Sequence, residues 1–187
     1  MKTLILIAII TLLSTQSFAQ APEQVKDSSN FKIEQNTLVW QKIYTTTQNT
    51  STIIKNIKTN GILKDIEIID STTVKARIEG LNADYAGAGF SRGTTPMMLL
   101  GETISAPVII NIKQGRYRVT IKNILLTTSI TTPLSKVGES EPIETYVLKK
   151  KNTQFKPAFF TTVAPILTHT FNKIFTPTTP STEDDNW

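Results

Sequence analysis

Cysteine is absent from all 187 residues. That excludes disulfide bonds, so folding rests on burial and hydrogen bonding alone. It also excludes a lipid carried on cysteine, thiol catalysis and zinc–thiolate sites. Histidine occurs once, at His169, which leaves little for metal binding or acid–base chemistry. No Gly-x-Ser-x-Gly elbow, His-Glu-x-x-His pair or Gly-Lys-Ser/Thr phosphate loop is present. Beyond the first nineteen residues no apolar run approaches the ~20 residues that cross a bilayer, and no repeat of fixed period is visible.

The start of the chain is distinctive. Met1-Lys2-Thr3 is short and positive, Leu4 to Leu13 is apolar apart from Thr11, and small residues fall at Ser17 and Ala19. This is the layout of a secretory leader cut after Ala19. The apolar part is too short to span a membrane, so a periplasmic or secreted chain beginning at Gln20 is expected, with no transmembrane segment after the cut. Gln20 closes the bacterial lipoprotein route. The remainder suits one domain. Its formal charge, +5 with the leader included, favours weak attraction to anionic surfaces but is no signature of nucleic-acid binding.

Abundant Thr and Ile favour pleated sheet over helix. Residues 20–30 read as a flexible lead-in. Residues 37–44 form a first strand. Asn49-Thr50-Ser51 supplies capping residues, Ile53, Ile54 and Ile57 share a helical face, and Gly61 marks the helix end. Residues 66–69 and the alternating Val74, Ala76 and Ile78 make two further strands. Leu81 to Ala106 is a long irregular stretch, of the kind that often carries function. Residues 107–112 and 116–121 flank Lys113-Gln114-Gly115 as a hairpin. Residues 144–148 read as another strand. Val163, Ile166, Leu167, Thr170, Phe171, Ile174 and Phe175 recur at helical spacing, with Thr162 as cap and Pro165 in the first turn. Residues 177–187 read as a disordered acidic tail. The order implies an α+β domain over residues 31–176: an antiparallel sheet of about five to six strands with two helices on one face.

These landmarks resemble an exported Bacteroidota family that carries a domain of unknown function, 4468, of TATA-binding-protein-like (TBP-like) fold. The resemblance is carried by Phe18-Ala19-Gln20, by Val39-Trp40-Gln41-Lys42-Ile43-Tyr44, and by Gly61 with the hairpin from Ile66 to Gly80. Lys113-Gln114-Gly115-Arg116-Tyr117-Arg118-Val119, the Phe171…Phe175 segment and the terminal Asp184-Asp185-Asn186-Trp187 belong to it too. It implies a fold and an exported address. It implies no activity, no cofactor and no catalytic residue.

Candidate contacts follow from the residues themselves. Tyr85, Phe90, Arg92, Met97 and Met98 lie on the long loop, where exposed aromatics, methionines and an arginine suit partner contact. Packing of the loop onto the core is the alternative for its apolar members. Gly87-Ala88-Gly89-Phe90-Ser91-Arg92-Gly93 lacks the dinucleotide spacing and reads as a loop. Lys75, Arg77, Arg116, Arg118 and Lys122 are expected to share the open sheet face, with Glu79 among them. That face suits an anionic envelope polymer better than nucleic acid, because it is charged rather than wedge-like. Asp65, Glu67 and Asp70 lack a calcium-loop pattern and read as exposed charges. His169 reads as a partly exposed helix residue, with a hydrolase pairing it to a carboxylate as the rival. The expectation is a non-enzymatic envelope module without metal or cofactor, partnered by an envelope protein or an anionic envelope polymer.

Overall fold

The computed structural model describes residues 30–129 and 136–177. The leader and lead-in up to residue 29, and the tail from residue 178, lie outside the described residues. The chain opens with a hairpin, β1 (Phe31–Glu34) and β2 (Thr37–Thr45), joined by Gln35 and Asn36. Both turn residues have positive φ, 49° and 63°, the left-handed pair that matches strand twist. Helix α1 (Thr50–Thr59) follows, with Asn49 Oδ1 accepting the Thr52 N–H at 2.8 Å. Strands β3 (Leu63–Ile68) and β4 (Thr73–Leu81) come next, then a loop holding the single turn α2 (Met97–Leu100).

Strand β5 (Glu102–Lys113) is twelve residues long and turns through Gly115 (φ +73°) into β6 (Arg116–Lys122). The irregular stretch therefore ends at Gly101, five residues earlier than the sequence suggests. Strands β7 (Leu125–Thr128) and β8 (Ser140–Pro142) follow. Glu144–Val147 is then a helical turn, α3, rather than the expected strand. The cause is Glu144, whose buried carboxylate turns inward to accept the Leu38 N–H at 2.8 Å. Two short strands, β9 (Leu148–Lys149) and β10 (Gln154–Phe155), pair with each other. A π turn over Phe159–Val163 leads into α4 (Ala164–Phe175). Pro165 sits at the start of α4, directly after the π turn. Thr162 does not cap: it lies inside the π turn and its hydroxyl donates to the Ala158 carbonyl.

Among the described residues the main sheet has eight strands, all antiparallel, in the order β1-β2-β6-β5-β4-β3. Strand β7 pairs with the first part of β5 and with β8. This exceeds the five or six strands expected, because β1, β7 and β8 are too short to show a period. Registers align Phe31, Trp40, Ile121, Val108 and Ala76 in one row across five strands, and all are buried. Helices α1 and α4 cover this face. Phe171 meets Trp40 edge-on, with ring centres 5.2 Å apart, and Phe175 lies 6.4 Å from Trp40. Tyr44 and Tyr117 stack at 5.2 Å. The Tyr44 hydroxyl and Lys42 Nζ both donate to Asn172 Oδ1, and the Tyr117 hydroxyl donates to the Phe175 carbonyl. Burial pushes the Tyr117 phenol up to about 12 and raises Tyr44 further. Asn60 Nδ2 donates to the Ile174 carbonyl and ties α1 to α4.

Replacing Glu144 by Ala strands the Leu38 N–H in the core and should cost about 1–3 kcal/mol in urea unfolding. Glu144→Gln keeps an acceptor oxygen and should cost less than half as much.

Candidate functional site

The face of the sheet away from the helices is uncovered. Alternation along β6 turns Arg116, Arg118, Thr120 and Lys122 outward while Tyr117, Val119 and Ile121 enter the core. On β4, Lys75 and Arg77 face the same way, opposite the buried Val74, Ala76 and Ile78. The five cations singled out in the sequence thus share one face. Register places Ile43, Arg118, Asn111 and Thr73 side by side across four strands. It also places like charges directly opposite each other, Arg116 against Lys113 and Arg77 against Lys64.

Arg118 Nη2 donates to Asn111 Oδ1 at 3.2 Å, which fixes the guanidinium along the sheet. Among the described residues no carboxylate comes within 4.0 Å of Lys75, Arg77, Arg116, Arg118 or Lys122. Glu67 is aligned with Lys75 but forms no ion pair with it. Two hollows lie on this face. One, about 210 Å³, sits between Ile43, Asn111, Lys113, Arg116 and Arg118, and Ile43 is 56% exposed there. The other, about 400 Å³, runs between Lys75, Arg77, Pro107, Ile109 and Leu125, with Asp65 also on its wall.

The structure separates the loop residues expected to act together. Tyr85 and Phe90 are half-buried and pack against the core, and the Phe90 N–H donates to the Tyr85 carbonyl. Arg92 stands exposed in a turn held by bonds to the Ser91 carbonyl. Only Met97 and Met98 share a surface: they line an apolar cleft of about 440 Å³ with Glu102, Tyr146 and Phe159. Met97 is 75% exposed, whereas Met98 is 8% exposed and belongs to the core. Glu102 and Tyr146 were not legible as site residues, because only the tertiary structure brings the start of β5 beside α3.

His169 does meet a carboxylate. Its Nε2 lies 3.5 Å from Asp84 Oδ2, but Lys173 Nζ donates to that same oxygen at 2.9 Å. The Asp84 N–H donates to the Thr170 hydroxyl, and the Gly87 N–H donates to Asp84 Oδ1. A Cβ on Gly87 would lie 2.5 Å from His169 Nε2 and 2.7 Å from Asp84 Oδ2, so any larger residue there would have to push these two side chains aside. This set fastens the loop to α4. Among the described residues no group of three His, Asp or Glu side chains is arranged to hold a metal. Asp70 accepts the Thr72 N–H and hydroxyl in a turn, which lowers its carboxyl. Asp65 lies at the β3 bulge, so the three acids of this region form no joint site.

The Lys173 hydrogen bond, then the Gly87 N–H, holds the Asp84 carboxyl below its ordinary value. A depressed carboxyl stabilises the fold above its unfolded value and loses that contribution as pH falls through the folded one. Asp84→Asn should therefore cost no more than about 1 kcal/mol near neutrality, since the pair is partly exposed. The gap to the wild-type melting temperature should close in acid, below the ordinary aspartate range.

No helix of the described residues is long and apolar enough to cross a membrane. No family model matches the chain, and no curated protein matches it. Among solved structures it is similar to a DUF4468 family protein from Bacteroides ovatus ATCC 8483. The TM-score is 0.46 and the identity 13%, over 78% of this chain and 86% of that one. It is also similar to a TBP-like protein from Parabacteroides distasonis ATCC 8503, with TM-score 0.42 and 12% identity over 77% of this chain and 86% of that one. The family and the fold named for these two structures are the ones the sequence landmarks resemble.

Proposed function

We propose that the protein is an exported, non-enzymatic binding module whose open sheet face holds an anionic polymer of the bacterial envelope. The observation that carries this reading is the registered set of like charges without acid partners. Arg116 opposes Lys113 and Arg77 opposes Lys64. Like charges directly opposite on a sheet are destabilising, by an amount comparable to the ~0.2–1 kcal/mol that favourable pairs contribute. An acidic chain laid across the strands relieves both repulsions. Arg118, braced by Asn111, presents a planar fork suited to a carboxylate. Ile43 and Ile109 beside the cations offer apolar contact to a sugar ring. Export by the leader expected at residues 1–19 would bring such a face to where acidic glycans occur, apart from chromosomal nucleic acid. Catalysis is no part of this reading: the sole histidine shares its carboxylate with a lysine and serves to hold the loop.

Polygalacturonate is a suitable probe. Binding measured by calorimetry should weaken at least about tenfold between low and high salt, because exposed charges are screened over about 10 Å at 0.1 M. Arg116→Glu/Arg118→Glu should abolish it without lowering the melting temperature. Binding that ignores both salt and the reversals would exclude this face.

A further inference from the structure

Two buried polar atoms among the described residues have no hydrogen-bond partner, Trp40 Nε1 and Glu102 Oε2. Trp40 is sealed in the core between Phe171 and Phe175. Glu102 instead lines the apolar cleft that Met97 and Met98 open onto. An enclosed carboxylate oxygen without a donor is costly, and such groups are few in folded proteins. The walls of the cleft are Pro96, Met97, Met98, Val147, Phe159 and Val163, and its volume, about 440 Å³, is in the range of small-ligand sites. Methionine walls adapt to flexible chains.

The polar end of the cleft is acidic. The Tyr146 hydroxyl donates to Glu102 Oε1 over a long 3.4 Å, and Glu141 adds a second negative charge nearby. Burial, followed by these two carboxylates, pushes the Tyr146 phenol up to about 12. Burial likewise raises the Glu102 carboxyl. Lys156 also borders the cleft, but its Nζ donates to the Thr145 carbonyl, and among the described residues no cation lies within 4.0 Å of Glu102. The site thus combines an apolar body with an under-satisfied anionic end.

We propose that this cleft binds a small cationic amphiphile, with its apolar chain between Met97 and Phe159 and a primary ammonium donating to the Glu102 carboxylate. Rotation about the terminal bonds of Glu102 turns Oε2 toward the cleft to take that donor. Charge complementarity selects the ammonium over a neutral or anionic head. The residues involved are distinct from those of the open sheet face, so the two sites stand or fall separately.

The test titrates the purified protein with n-octylammonium, n-octanol and n-octanoate, following the methyl resonances of Met97 and Met98. n-Octylammonium should move both resonances and bind about tenfold more tightly than n-octanol, as a charge-assisted hydrogen bond warrants. Glu102→Gln, which keeps shape and loses charge, should remove that preference and leave n-octanol binding unchanged. Thr162→Trp, which fills the cleft from a half-buried position on its wall, should abolish binding of both. Equal affinity for the ammonium and the alcohol in the wild type would overturn the cationic head. Tightest binding of n-octanoate would do the same and point to Lys156. Absence of any shift at Met97 and Met98 with all three probes would remove the cleft as a ligand site.

Discussion

The contact between α4 and the middle of the sheet is what the other features rest on. Phe171 and Phe175 lie over Trp40, and the two tyrosines beside them bond to Asn172 and to the last carbonyl of the same helix. Truncating one such aromatic typically costs about 3–5 kcal/mol, against a whole-domain stability of about 5–15 kcal/mol. In a chain without disulfides that contact supplies what a covalent staple otherwise would. Asn172 is central to it, because a single amide oxygen satisfies both the Lys42 ammonium and the Tyr44 hydroxyl, which otherwise sit partly buried.

Covering one face commits the other to solvent. With period-two alternation, each residue that enters the core sends its neighbours outward. The run Arg116-Tyr117-Arg118-Val119 makes the point: the tyrosine and valine that support α4 impose the direction of the two arginines. The positive face and the apolar face are thus a single pattern seen from two sides. The twist that packs the helices also brings the cations of β4 and β6 into adjoining rows on either side of β5.

The cleft has a different origin. Strand β5 outlasts β6: from Val108 onward it pairs with β6, while Glu102 to Ser105 pair with β7. The change of partner leaves the start of β5 at the edge of the helical layer, where α2, α3 and the π turn meet without closing. A π turn widens the backbone locally, and such turns recur at functional places. Glu102 falls at this junction, which explains how a carboxylate comes to border an otherwise apolar hollow.

Much of this was written locally. The Asn49 cap, the Ile53 and Ile57 stripe, the Gly115 turn and the Phe171 to Phe175 face were all readable, because capping, turn geometry and amphipathic period act over a few residues. The sharing of one face by Arg116, Arg118, Lys75, Arg77 and Lys122 was readable for the same reason. Tertiary structure alone decided the rest. Glu144 takes a helical turn where its neighbours favour a strand, because the N–H it serves lies on β2. Tyr85 and Phe90 fold onto the core while Met97 stays outside, since loop side chains follow the surface beneath them and not a period of their own. The pairing of His169 with Asp84, and of Glu102 with Tyr146, joins segments far apart in the chain, and no spacing rule reaches across such distances.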